Sequence, residues 1–324
     1  MALIDMKVFN QYLREATIET LGQMTDKFNA ASRGAIRLST EGFDGDFLMR
    51  SSFSALHSAR RRVDRYATNS NVSPTPLAQL QHNSVKVAGG FGPVLWEPAQ
   101  LTWVQDNPDR AIEVISLNMS EAIMQDMLNT AIAAARAAIE AQSTATTYDG
   151  GTGPLNYQDV NGAHAKFGDR SSLIVANVMD GATYHSFIGQ NLANANNLFN
   201  ANGIQVVDIL GRVVVVTDAP ALRDSATTAN PAMNYVLGLV QDAVVVHDAS
   251  DLVTNIETSN GSRRIETTLQ ADYTFGLGLK GYAWDIQNGG KSPDDSALTL
   301  GSNWDKIVTD IKHTAGVMAK ATAV

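Results

Sequence analysis

Between residues 34 and 104 the chain offers no segment that could bury itself. GAIRLSTEGFDGDFLMRSSF, residues 34–53, alternates weakly in the manner of a strand. HSARRRVDRYA, 57–67, is basic and predicts a short helix, whereas NSNVSPTP, 69–76, is loop chemistry with two prolines. VKVAGGFGPVLWEP, 85–98, is extended again, with glycine and proline breaks. A long connection with no hydrophobic face gains too little on folding to offset the entropy of ordering it. The pattern therefore predicts an arm and a protruding hairpin that need a partner surface.

The elements around this stretch are more regular. Residues 5–30 predict a helix, with a loose stripe of Val8, Leu13, Ile18, Leu21 and Met24. The strongest helical pattern is 118–142, NMSEAIMQDMLNTAIAAARAAIEAQ. Asn118 or Ser120 can cap it, and Glu121 sits in the first turn, where the helix dipole favours an anion. Met124, Met127, Leu128, Ala131, Ile132, Ala135 and Ile139 hold one face. STATTYDGGTGP then breaks the pattern.

Beyond it the chain becomes mixed α/β. SSLIVANVMD, 171–180, predicts a buried strand, and GATYHSFIGQ begins a helix. The Asn-rich 191–203 reads as a surface excursion, and 203–220 as a hairpin turning at Leu210 and Gly211. Residues 233–249 give one or two strands. Residues 252–285 form a long antiparallel ribbon turning at Ser259, Asn260 and Gly261, since Asn-Gly is a favoured hairpin pair. WDKIVTDIKHTAGVMA, 304–319, predicts a terminal helix.

Composition limits the chemistry. There is no cysteine, which removes disulfides, thiolate metal sites and cysteine nucleophiles. The opening MALIDMKVFNQYL lacks the basic and apolar regions of a signal peptide, and no apolar run reaches the length of a membrane span. The net charge is −9, so a general nucleic-acid binder is disfavoured. That charge is uneven: residues 1–70 carry +2 and the rest −11, which predicts attraction between copies of the chain.

Two motifs suggest nucleotides. Gly276, Gly278 and Gly281 spell G-x-G-x-x-G, and Gly290, Lys291 and Ser292 spell the tail of a phosphate loop. A dinucleotide site needs a helix starting at the glycines, yet Tyr282, Ala283 and Trp284 continue an extended pattern. Glycines in a strand mark instead a bulge or a close backbone approach. The phosphate loop has Asp285 where glycine is required. Ser292, Pro293, Asp294 and Asp295 read as a cap, first residue and acidic first turn that would repel a triphosphate.

His57, His82, His164, His185, His247 and His313 show no metal-ligand spacing, and no G-x-S-x-G elbow occurs. Arg60, Arg61, Arg62 and Arg65 form the one basic cluster. It reads as a solvated helix face, a nucleic-acid patch or an intersubunit contact; Asp64 within it favours the contact over the patch. Trp96 and Trp103, flanking Pro98, are expected to anchor a hairpin base.

The order of elements now carries the reading. A helical arm, an extended loop, one long helix, a mixed α/β region and a closing ribbon resemble the major capsid proteins of tailed bacteriophages, the Hong Kong 97-type α+β fold. SSLIVANVMDGATYHSFI, GIQVVDILGRVVVVTDAPAL and LVTNIETSNGSRRIETTLQADYTFGLGLKGYAWD followed by NGGKSPDDSALTLGSNWDK are the stretches most similar to that family. The resemblance implies an N-terminal arm at 1–33, an extended loop (E-loop) at 34–104 and a peripheral domain at 105–164 built on the 118–142 spine helix. It further implies an axial domain at 165–247 and a return to the peripheral domain with a C-terminal segment at 248–324.

Arg60, Arg61, Arg62, Arg65, Asn260, Arg263 and Arg264 become the candidate subunit-interface residues. No cofactor, metal or catalysis is expected. The implied partners are further copies of the chain, as hexamers and pentamers of an icosahedral shell. A separate scaffolding protein, a portal and a possible decoration protein would join them, around double-stranded DNA held without sequence-specific contacts. The chain would reside in the virion, after assembly in the host cytoplasm. An encapsulin-like compartment around a cargo enzyme is the alternative within the fold. A nucleotide-binding enzyme using 276–292 is the alternative from another class.

Overall fold

The structure, a computed structural model, describes residues 3–39, 45–53, 60–66, 68, 71, 73, 74, 79–198, 212–228, 231–248, 251–259 and 265–323. The chain opens with α1 (Leu3–Ala31), the helix expected at 5–30. Its buried row is Phe9, Leu13, Thr17, Leu21 and Thr25, while Val8 and Ile18 of the predicted stripe are 46% and 41% exposed. A strict four-residue row is the ridge that one helix sets into the groove of another.

Strands β1 (Ile36–Ser39), β2 (Phe47–Phe53) and β3 (Gln79–Trp96) follow. The glycines and proline of 85–98 do not interrupt β3. Its pairing shifts register between Leu269 and Ala271 of the opposing strand, so the irregularity is absorbed as a bulge. Residues 60–66 are irregular, so the short helix expected over 57–67 is not formed there. Three basic side chains in succession, with no apolar stripe, give a helix nothing to pack.

Helix α2 (Pro98–Asp106) is an element the sequence reading did not anticipate. Glu97 and Gln100 close a capping box at its start. Helix α3 (Pro108–Ala141) is 34 residues long, about 51 Å at 1.5 Å per residue. It begins at Asn107 and Pro108, ten residues ahead of the expected 118. Asn118 and Ser120 are therefore interior rather than caps. The Ser120 hydroxyl donates to the Thr17 carbonyl of α1 at 2.9 Å and to Ser116 of its own helix at 2.8 Å.

The remaining elements are β4 (Thr147–Asp149), α4 (Tyr157–Ala165), β5 (Ile174–Met179), α5 (Gly181–Leu198), β6 (Val213–Val216), β7 (Arg223–Asp224), β8 (Met233–Val240) and β9 (Val244–Asp248). Then come β10 (Val253–Ser259), β11 (Glu266–Leu279), β12 (Tyr282–Trp284), α6 (Ile286–Gly289), α7 (Asp295–Leu298), β13 (Trp304–Lys306) and β14 (Gly316–Thr322).

They make two main sheets. The first runs β1-β9-β11-β3-β2, with β10 also on β11; the second runs β4-β14-β8-β5-β6, with β7 on β8. A small pair, β12-β13, forms its own ladder, packed against β3 and β11 of the first sheet. Helix α3 touches β9 and β11 of the first sheet and β14 of the second, so it backs both.

Several expectations change. The predicted helix at 304–319 is instead β13, a 3-10 turn and β14. Val317, Met318, Ala319 and Ala321 are buried between β4 and β8, and that burial overrides the helical propensity of Ala, Met and Lys. The surface excursion at 191–203 is helical as far as Leu198, because α5 continues. The hairpin turn at Leu210 and Gly211 lies outside the described residues, and β6 pairs with β5 in parallel. The ribbon β10–β11 is antiparallel, with Ser259 opposite Glu266. Its tip, including Asn260, Arg263 and Arg264, also lies outside the described residues.

Candidate assembly surfaces

Beyond the Val85–Leu277 pair, β3 shares a strand ladder only with β2, although β12 packs against β3 and Ser84 lies against Gly278 of β11. Residues 79–84 pair with 48–53 and with nothing else, an overhang of about 20 Å at the strand rise. Across the 18 residues of β3 only Val85 and Val87 are buried. Met49 on β2 is 58% exposed. Arg60, Arg61, Arg62 and Arg65 lie in the chain that leaves this overhang, all exposed. The Asp64 carboxylate accepts the Tyr66 backbone N–H at 2.9 Å, and the Arg65 guanidinium stands 6.0 Å from the Tyr66 ring. Among the described residues none of the four arginines pairs with a carboxylate.

At the other end of β3, Trp96 meets Phe9 edge-on at 6.3 Å and pins the strand to α1. Trp103, on α2, is 38% exposed and supplies only part of the anchor expected of the pair.

A second surface is a cleft of about 530 Å³ between α3, the turn at Pro220–Leu222 with β7, and α7. Arg136 dominates one wall. Its guanidinium donates to both carboxylate oxygens of Asp224, at 2.7 and 2.6 Å, and to the Ala221 carbonyl at 2.8 Å. It also covers the Tyr235 ring at 3.7 Å and approaches Glu140 at 3.5 Å. The Tyr235 hydroxyl donates to Asp224 at 2.6 Å. Hydrogen bonds from Arg136 hold the Asp224 carboxyl below its usual range, against the opposing effect of partial burial. Burial pushes the Tyr235 phenol up, and its bond to Asp224 adds to this. This network fastens α3 to the second sheet.

The other wall has no such cation. The Asp126 carboxylate accepts the Tyr273 hydroxyl at 2.7 Å. Burial raises its pKa, the Tyr273 bond opposes the rise, and the nearby Asp295 charge adds to it. Among the described residues no lysine or arginine pairs with Asp126 or Asp295. Asp295 begins α7 after the Asp294 cap, which accepts the Ala297 N–H at 2.8 Å. The expected cap, Ser292, lies two residues earlier. Ion pairs were not legible in advance, but Arg136 left a trace: it is the lone charge in TAIAAARAAI, on a face otherwise meant for burial.

The glycine motif has no nucleotide geometry. Gly276 and Gly278 lie inside β11, between β3 and β9, where Ser84 crowds Gly278 too closely to admit a Cβ. Gly281 turns the chain into β12 at φ +81°, with the His313 carbonyl 2.8 Å from where a Cβ would stand. No helix starts until Ile286, which Asp285 caps. Among the described residues no cluster of three His, Asp or Glu could hold a metal ion, and no helix is long and apolar enough to cross a membrane. His164 is buried, with Nε2 2.9 Å from the Asn177 amide oxygen; burial lowers its pKa to about 4.

Known proteins bear on these surfaces. The family model "Major capsid protein 13-like" matches residues 5–318. No curated protein matches. Among solved structures, the chain is similar to the capsid asymmetric unit of cyanophage Pam1, with a TM-score of 0.55 at 14% identity over 89% of this chain and 88% of that one. It is also similar to the capsid of Ralstonia phage GP4, with a TM-score of 0.52 at 11% identity over 91% and 89%. A structure from Mycobacterium phage Adephagia gives 0.50 at 12% identity over 88% and 87%. These likenesses carry the fold expected from the order of elements, and the family match spans nearly the whole chain. The chain belongs to the major capsid protein 13-like family, and is a coat protein that builds a phage shell.

Proposed function

We propose that this coat protein closes its shell as hexamers and pentamers, with the β2–β3 overhang of each copy lying on a neighbour. The observation that carries this reading is the overhang itself. It is a two-stranded ribbon with almost no buried side chains, and such a ribbon is marginal in water unless a surface covers it. Arg60, Arg61, Arg62 and Arg65 at its far end are the proposed contact residues, joined by Asn260, Arg263 and Arg264 at the β10–β11 tip.

In this reading the first sheet, with α3 behind it, is the peripheral domain. The second sheet is the axial domain, which moves the expected bounds of 165–247: β4, α4 and β14, expected in the peripheral domain at 105–164 and 248–324, join it, and β9, expected in the axial domain, goes to the first sheet. Residues 3–31 form the arm. Assembly in the host cytoplasm would use a separate scaffolding protein and a portal, with decoration proteins as optional outer partners. The enclosed double-stranded DNA would be held without sequence-specific contacts, in keeping with the net charge of −9. The reading assigns the chain no catalysis and no cofactor.

Electron microscopy of the chain co-expressed with its neighbouring head genes tests the proposal. Closed shells with capsomers of six and five copies, each ribbon crossing to the next copy, are the expected result. Ribbons folded back on their own subunit would reject it.

A further inference from the structure

The outer edge of the first sheet is covered from α1. Strand β1 ends that sheet and pairs on one side only, in parallel with β9. Ile36 and Leu38 turn backbone groups to the other side, where a further strand would pair. The Asn29 side chain takes both groups of Leu38, accepting its N–H at 2.9 Å and donating to its carbonyl at 2.6 Å. The hydroxyl of Ser32, the residue after α1, donates to the Ile36 carbonyl at 3.3 Å. The Asn29 amide thus stands in for a peptide group of the missing strand, with one donor and one acceptor in register. The same helix reaches a second edge, where Asn10 donates to the Thr254 carbonyl of β10 at 2.8 Å. The chain reverses from α1 onto β1 through Arg33 and Gly34, at φ +52° and +70°. A Cβ on Gly34 would meet nothing nearer than Gln241 Cγ at 4.0 Å, so the left-handed backbone alone asks for glycine.

We propose that α1 is a cover on β1, and that the strand it keeps away is β1 of a second copy. A free edge is a template for pairing with another chain, and its own copies are what a coat protein meets as it gathers into a shell. The edge is also self-complementary. Two β1 strands laid antiparallel about a two-fold axis at Arg37 would set Ile36 against Leu38 of the partner subunit, on both sides of the axis. The outward groups of Ile36 and Leu38 would then be used together. Arg37 would face its own copy as a non-hydrogen-bonded pair, with Cα atoms about 4.5 Å apart. Such an isologous contact closes a dimer. The cover keeps that dimer from competing with the contacts that build the shell. The turn at Arg33 and Gly34 sets the helix end over this edge, so the cover depends on the turn as well as on Asn29 and Ser32.

The chain has no cysteine, so one introduced thiol reports this dimer directly. The Arg37 side chain is half-exposed, and the paired Cα atoms would lie within the roughly 4.4–6.8 Å that a disulfide spans. The full chain carrying Arg37→Cys is oxidised in dilute solution, and its disulfide dimer is measured on non-reducing gels. With α1 in place the yield is expected to stay low. Asn29→Ala and Ser32→Ala added together should raise it about tenfold or more, because pairing no longer displaces three side-chain hydrogen bonds. Gly34→Val, which leaves Asn29 and Ser32 intact and strains only the turn, should raise it as well. Circular dichroism checks that each variant is folded, and Gly34→Val decides if the double alanine chain is not. Gln105→Cys on α2, in the same altered chains, reports general loosening or aggregation. A high yield from Arg37→Cys alone would mean that the edge is already open. Yields that the substitutions leave unchanged, or that rise equally at Gln105→Cys, would mean that α1 holds no β1 pairing back. Each of these results overturns the proposal.

Discussion

The second sheet and the β2–β3 overhang solve opposite problems with the same backbone. In the sheet, β8 is buried from Tyr235 to Val240 and β14 from Gly316 to Ala319, each strand covered on both edges by another. In the overhang, two strands share one ladder, and the residues that follow carry four arginines against the single acid Asp64. The sheet can order itself by burying apolar surface, at about 25 cal/mol per Å². The overhang buries less: none of residues 79–84 is fully buried, and Leu80, His82, Asn83 and Ser84 are only half-buried. One polypeptide thus holds a self-sufficient sheet and a sparsely packed ribbon, and in the proposed shell the ribbon is the part a neighbour would cover.

The largest expected effect lies in the sheet. Leu237→Ala should remove about 2–5 kcal/mol from subunit stability in urea unfolding, since the side chain is fully buried on β8. A loss well under 1 kcal/mol would mean that the sheet is not the stabilising half. Arg136→Ala should cost about 3 kcal/mol, because Asp224 loses a forked partner and Tyr235 its covering cation. A double-mutant cycle with Asp224→Asn measures how much of that is the pair itself.

Acid should weaken the same half. The His164 pKa falls from 6.5 to about 4 on folding through burial, so the unfolded chain binds a proton that the folded chain refuses. The contribution is complete above pH 6.5 and is lost as pH drops through 4, on the order of 3 kcal/mol in all. The Arg212 charge acts in the same direction as burial. His164→Gln should flatten that slope in unfolding curves recorded from pH 7 to 4; an unchanged slope would sink the assignment. The smallest effect on the subunit belongs to the overhang: Met49→Ser should change its stability by less than about 0.5 kcal/mol, while lowering the yield of shells. A stability loss comparable to that of Leu237→Ala would erase the contrast between the halves.

How much of this could be read in advance depended on where each signal resides. The spine of α3 was legible because Met127, Ala131, Ala135 and Ile139 repeat at helical spacing. Its first ten residues were not, since RAIEVISL mixes charged and β-branched residues in a helix held by α1 and α2. The residues of β14 are helix formers by composition and become a strand only because β4 and β8 flank them. The expectation that nothing in 34–104 buries itself holds only for residues 60–66 and much of the overhang; Ala35, Ile36, Leu38, Val85, Val87 and Val104 join the core, because β1 and β3 are taken into the first sheet by β9 and β11. The cleft along α3 was not legible, because Asp126, Arg136, Asp224 and Asp295 come from three distant parts of the chain.

The position of β14 has a consequence for timing. It lies between β4 and β8, with Met318 opposite both Thr147 and Leu237, so strands made much earlier in synthesis wait for it. Contacts this distant in sequence are slow to close. Until then β4 and β8 each keep a bare edge, and the subunit has no finished half from which to project its ribbon. A ribosome that stalls before residue 316 therefore releases a chain whose second sheet is split. Such a fragment lacks the one strand that joins β4 to β8.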